Sequence, residues 1–178
     1  MTIREALQWA RSQLQASPSP YEDARLLLQY VLSAGHTYIA AHPEQSLSTR
    51  EEESFRAVVA RAVKREPIPY ITGEASFGGH EFRVSKDVLI PRPETELLVE
   101  AAVRWAQGRR VLRVVDVGTG SGCIAITLAQ RLPQADILAV DISEEALQIA
   151  RENMVRHSLA DRIRLQRGSL LEGIIGPL

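Results

Sequence analysis

Val114-Val115-Asp116-Val117-Gly118-Thr119-Gly120-Ser121-Gly122-Cys123-Ile124-Ala125 reads as an apolar strand ending in a carboxylate, a loop with three glycines, and the start of a helix. Glycine lets backbone approach a ligand closely, and a helix N-terminus presents N–H groups that have no intrahelical partner. In an open α/β sheet, ligands bind beyond the carboxyl ends of the strands, where this loop falls. Around it the pattern alternates: Val111–Val115, Ala135–Val140 and Ile163–Gln166 read as strands, and Ser121–Arg131 and Ser143–His157 as helices. Strands alternating with helices predict a parallel sheet.

The glycine spacing discriminates between ligands. A dinucleotide fingerprint, G-x-G-x-x-G, needs glycine at 118, 120 and 123, and position 123 is cysteine. The spacing is instead G-x-G-x-G, with Asp116 two residues before the first glycine. A carboxylate beside the loop is a poor neighbour for a pyrophosphate and suits the ammonium of an amino-acid-like ligand. A second acid, Asp141, ends the next strand, 23 residues after Gly118. An acid there can accept hydrogen bonds from both ribose hydroxyls. An adenosine with an ammonium-bearing arm is S-adenosylmethionine, which makes Asp116, Gly118, Thr119, Gly120, Ser121, Gly122 and Asp141 the candidate cofactor-binding residues.

Toward the N-terminus the pattern is helical. Thr2 with Glu5, Ser19 with Glu22 and Ser48 with Glu51 have capping-box spacing. Pro20 suits a first helical position, and Gly35 is expected to end the helix it opens. Ala6, Leu7, Ala10 and Leu14, then Ala24, Leu27, Leu28, Val31 and Leu32, then Phe55, Val58, Val59 and Ala62 form apolar stripes, with a short turn of helix around Thr37–Ala41. This predicts a small helical bundle. Pro67 and Pro69 are expected to stop the helices, with extended chain from Tyr70 to Leu89 and a hairpin at Gly78-Gly79. After Pro91 and Pro93 a helix is expected, with Leu97, Leu98, Ala101, Ala102 and Trp105 on or near its inner face. The domains are thus a helical domain at 1–72, a linker and hairpin at 73–92, and a partial Rossmann-like domain at 93–178.

Composition narrows the classes. The 178 residues suffice for one or two domains, and 45% apolar with 24% charged is globular, which excludes disordered, collagen-like and disulfide-scaffold chains. No apolar run is long enough for a transmembrane helix, and MTIREALQWARSQ is not a secretory signal. Net charge −1 is not the footprint of a strong nucleic-acid binder, so no direct nucleic-acid or membrane partner is expected. The single cysteine, Cys123, forms no internal disulfide and fits a reducing, cytoplasmic setting. It is expected to be a small buried residue rather than a reactive thiol. Trp105 is read as core, Trp9 as core or an exposed contact, and Phe77 as packing on adenosine or stapling the hairpin. The four histidines lack ligand spacing, so no metal is expected.

Three segments carry a family resemblance. DVGTGSG at Asp116–Gly122 resembles motif I of class I methyltransferases, and FGGHEFRVSKDVLIPRPETELLVE at Phe77–Glu100 closely resembles the entry segment of the HemK/PrmC family. REPIPYITG at Arg65–Gly73 resembles that family's linker. The resemblance spans nearly the whole chain. It implies an α/β protein: an N-terminal helical bundle plus a partial class I (Rossmann-like) S-adenosylmethionine-dependent methyltransferase domain with parallel strands. The activity implied is methyl transfer to the glutamine side-chain amide in the Gly-Gly-Gln motif of peptide chain release factors. Release factors are then the partner, with the helical domain recognising them. Residue by residue, Gly118 to Gly122 match the loop around the methionine part of the cofactor, Asp116 the acid at its head, and Asp141 the ribose-binding acid. Ser169 matches a position flanking the adenine, and Pro91, Arg92, Pro93, Glu94 and Thr95 the segment that closes over the cofactor.

The sequence departs from the family at one point. The catalytic Asn-Pro-Pro-Tyr is absent, the one asparagine is Asn153, and the sequence stops at Leu178, where a fourth strand is expected. No catalytic residue is therefore assigned. The expectation is a truncated product or fragment that holds the cofactor half of the site, with the first strand of the sheet left with an open edge. Alternatives are a non-catalytic cofactor- or release-factor-binding fragment, an amino-methyltransferase acting on nucleic acid, and an NAD-dependent oxidoreductase.

Overall fold

A computed structural model describes residues 1–109 and 112–170. Val111 and Leu178, which entered the strand readings above, lie outside the described residues. The chain divides into two compact units, Met1–Thr72 and Gly73–Leu178.

The first unit is helical: α1 (Ile3–Gln13), α2 (Pro20–Leu32), α3 (His36–Ala41), α4 (Thr49–Val63) and α5 (Ile68–Thr72). Thr2 and Ser48 close full capping boxes, each hydroxyl accepting the N–H three residues on while Glu5 and Glu51 accept the cap N–H. The box at Ser19 does not form, because Glu22 pairs with Arg25. The Ser17 hydroxyl instead accepts the Ser19 N–H and donates to Asp23. Gly35 does not end α2; Ser33 takes the left-handed position (φ 49°), and Gly35 is the extended N-cap of α3. Pro67 and Pro69 do not stop the helical pattern either. Pro67 O accepts from Tyr70 and Ile71 N–H and opens α5, with Pro69 in a first turn that needs no N–H. The core joins Ile3, Ala6, Ala10, Leu27, Leu28, Ile39, Phe55, Val59 and Ile71. Each large side chain buried here contributes about 1.5–3 kcal/mol. Trp9 is half-buried, edge-on to Phe55, with Arg56 over its face.

The second unit opens with a hairpin, β1 (Glu74–Phe77) and β2 (His80–Arg83), joined through Gly78 and Gly79, both at positive φ. Phe77 and Phe82 are buried edge-to-face, so Phe77 staples the hairpin into the core. Then come α6 (Pro93–Ala106), β3 (Leu112–Val117), α7 (Cys123–Arg131), β4 (Ala135–Asp141), α8 (Glu144–Arg156) and β5 (Ile163–Arg167). β3, β4 and β5 form a parallel sheet in that order, with Val117 opposite Val140 and Asp141 opposite Arg167. The carboxyl ends of all three strands therefore line one edge. β4 is β3's one strand neighbour among the described residues.

The expected inner face of α6 holds only at Ala102. Leu97 is 71% exposed and Trp105 63%, and Leu98 and Ala101 are exposed too. The helix packs instead through Val99 and Ala106, with Ala102 and Val103 partly buried. Periodicity located an apolar stripe, but α6 has apolar residues on more than one side. The face buried is the one that meets α7 and the hairpin core.

Candidate functional site

The glycine loop is held by the ends of β3 and β4. Gly118 and Thr119 N–H both donate to Val140 O (2.8 and 3.0 Å), and Gly122 N–H turns back to Thr119 O (2.8 Å). Gly118, Gly120 and Gly122 all lie at positive φ (73°, 55° and 79°), a region that disfavours any side chain. Gly118 is exposed with open space around it, whereas Gly122 lies against Ala150 of α8 and starts α7.

The two acids differ. Asp116 is only 8% exposed, and its Oδ2 accepts from the Thr119 hydroxyl (2.7 Å) and Ala125 N–H (3.3 Å). This oxygen is thus turned into the loop rather than toward a ligand. Burial pushes the carboxyl above its ordinary value; the two hydrogen bonds work against that rise, and nearby Asp141 adds to it. Asp141 sits at the strand ends, half-buried. Its Oδ2 accepts Gly120 N–H (2.9 Å) and its Oδ1 accepts Ser143 N–H (3.0 Å). A carboxylate offers about four acceptor positions, so it retains capacity for hydroxyl donors.

The remaining predicted residues fall around this centre. Thr119 and Ser121 are buried, with their side chains turned inward. Ser169, half-buried, follows Gly168, whose N–H donates to Asp141 O, so β5 ends beside the second acid. Arg92 caps α6 and Pro93 opens it. Cys123 is buried and its thiol is pushed up to about 11, chiefly by desolvation, which makes it an inert packing residue. No group of three or more metal-ligating side chains comes together, and no helix is long and apolar enough to cross a membrane, among the described residues.

Sequence reasoning missed Asn153. It is fully buried on α8; its Oδ1 accepts Arg83 N–H (2.7 Å), and its Nδ2 donates to Arg83 O (2.9 Å) and Ser121 O (2.8 Å). A polar residue one turn from Ala150 and adjacent to buried Met154 was the available signal.

Comparison with known proteins adds the following. Residues 5–73 match the family described as PrmC N-terminal domain, and residues 109–174 one described as methyltransferase domain. The chain is 44% identical to a release factor glutamine methyltransferase of Koribacter versatilis over 176 residues, 98% of this chain and 62% of the relative. It is 41% identical to one of Bordetella pertussis over 162 residues, 90% of this chain and 59% of the relative. A crystal structure of ribosomal protein L11 methylase from Lactobacillus delbrueckii subsp. bulgaricus is 33% identical, covering 52% of this chain and 47% of that one, with TM-score 0.44. The chain spans about 60% of the length of these curated relatives.

Proposed function

We propose that the chain is a member of the HemK/PrmC family that binds S-adenosylmethionine at the glycine loop and serves methylation of the glutamine side-chain amide in peptide chain release factors. The observation carrying this reading is the Gly120–Asp141 hydrogen bond, which brings three positive-φ glycines and a strand-end carboxylate to one sheet edge. The residues fit the cofactor: Gly118 leaves open space for close backbone approach, and Asp141 keeps acceptor capacity for ribose hydroxyls. Asp116 shapes the loop from beneath through Thr119 and Ala125. By the family resemblance alone we assign Ser169 to the adenine side and Pro91–Thr95 to the segment that closes over the cofactor. The cofactor, when bound, supplies an electrophilic methyl group.

An amide nitrogen is a weak nucleophile, and transfer to it depends on acceptors that orient its NH₂ group. Asn153 cannot serve that purpose, since its amide is spent on Arg83 and Ser121 inside the unit. No other asparagine exists in these 178 residues. For these 178 residues taken by themselves, a second reading is cofactor and release-factor binding without turnover.

Calorimetric titration with S-adenosylhomocysteine, with NAD as control, tests the first part; saturable binding of the former alone is expected. Incubation with release factor and S-adenosylmethionine, followed by mass measurement of the Gly-Gly-Gln peptide, tests transfer. Binding of neither compound by a folded chain would refute the cofactor reading, and methylated peptide would refute the reading without turnover.

A further inference from the structure

Among the described residues β2 has one strand partner, β1, so the polar groups on its other edge are satisfied from elsewhere. The antiparallel register opposes Ser76 to Glu81 and Glu74 to Arg83, and α8 with its C-cap residue His157 supplies bonds at both outer positions. His157 Nε2 lies 3.1 Å from Glu81 O, with its ring packed on Phe82, and the Asn153 amide takes both the N–H and the C=O of Arg83. Asn153 and His157 are four residues apart, hence on one face of α8, while Glu81 and Arg83 are two apart, hence on one edge of β2. The two periods match, and α8 clips the hairpin as a third strand would.

Asn153 differs from His157 in one respect. Its second N–H donates to Ser121 O, in the middle of the glycine loop. Ser121 lies between Gly120, whose N–H reaches Asp141, and Gly122, which rests on Ala150 one turn earlier in α8. The assignment of Oδ1 and Nδ2 follows from the partners, since Arg83 N–H demands the oxygen and the two carbonyls demand the nitrogen. Three of the four hydrogen-bonding positions of a fully buried amide are thus used to join two elements far apart in sequence.

We propose that Asn153 is a positioning residue that couples the hairpin leading into the entry segment to the backbone of the glycine loop, so that the loop keeps its cofactor-binding shape only while the hairpin is seated. The functional part of this rests on reading the loop as the cofactor site.

The test compares amide hydrogen exchange and S-adenosylhomocysteine affinity in the 178-residue chain and three variants. Asn153→Ala removes all three bonds. Asn153→Asp keeps size and the acceptor for Arg83 N–H but, when ionised, loses the donors to both Arg83 O and Ser121 O; Asn153→Ala, which buries no charge, guards against reading a loss of fold as a loss of coupling. His157→Phe keeps ring packing on Phe82 and breaks only the hairpin bond. Both Asn153 variants should speed exchange roughly tenfold or more, the scale of one buried hydrogen bond, at Gly118–Gly122 and at the hairpin together, with the interior of β4 unchanged. They should also weaken S-adenosylhomocysteine binding by a similar factor. His157→Phe should speed exchange in the hairpin alone and leave affinity as in the parent chain. Loop exchange unchanged in both Asn153 variants, or moved equally by His157→Phe, would overturn the proposal. A parent chain that fails to bind S-adenosylhomocysteine refutes the cofactor reading instead, and the exchange pattern still decides the coupling.

Discussion

Replacing Gly122 by alanine probes how closely α8 backs the loop, with Gly118→Ala as its reference. Both positions are left-handed, at φ 79° and 73°. Holding an L-residue there costs about 1–2 kcal/mol. At Gly118 nothing lies within 4 Å of where a Cβ would stand, so the backbone term acts alone. At Gly122 the same atom meets Ala150 Cβ and Ile126 Cδ1 at 3.3 Å and Ala150 Cα at 3.5 Å. The isoleucine end can rotate, but Ala150 is fully buried on α8 and has no side-chain freedom. Overpacking of this kind adds about 1–3 kcal/mol. Gly118→Ala should therefore lose about 1–2 kcal/mol and Gly122→Ala about 2–5 kcal/mol of stability. Urea titration followed by circular dichroism, with amide exchange in β4 reporting the second unit separately, yields both values. Equal losses, or a greater loss at Gly118, would refute the reasoning that close approach of α8 demands glycine at 122.

Three further outcomes are expected. Ser48→Ala should cost the first unit about 1 kcal/mol through loss of the capping bond, whereas Ser19→Ala, which removes no cap bond, should change the melting temperature little; comparable shifts would contradict the assignment. Val99→Ala should cost about 2 kcal/mol in chemical denaturation and Leu97→Ser less than about 0.5 kcal/mol, because α6 buries the first and exposes the second; the reverse order would mean that the stripe through Leu97 is the packed one. Burial raises the Asp116 carboxyl, so the folded chain holds that proton more tightly than the unfolded chain. The resulting stability is complete below the unfolded pKa and is lost as pH rises through the folded one. Asp116→Asn should remove that decline, seen as a urea midpoint that improves relative to the parent chain as pH rises from about 3 to 7; a difference between the two that does not change with pH would count against a buried, titrating Asp116.

Sequence by itself determined what depends on neighbours along the chain. The helix starts at Thr2 and Ser48, the hairpin at Gly78-Gly79 and the strand-loop-helix around Gly118–Gly122 were legible because caps, two-residue turns and positive φ are local demands with few residue types that meet them. The two acids were legible for the same reason, since Asp141 ends its strand and Asp116 is the last residue but one of its own. The tertiary structure decided whatever depends on competition among partners. Glu22 has capping-box spacing, yet Arg25 holds it. Leu98 and Trp105 lie at helical spacing, yet contact with α7 and the hairpin selected the neighbouring face. Asp116 was placed beside the loop by spacing, but only the packed structure turned its oxygen onto Thr119 and Ala125. Asn153 shows the difference most plainly. Nothing near it in sequence requires an asparagine, and its three partners lie 70 and 32 residues away on two other elements. A buried amide is tolerated only where such partners converge, and that convergence exists only once hairpin, loop and helix are packed together.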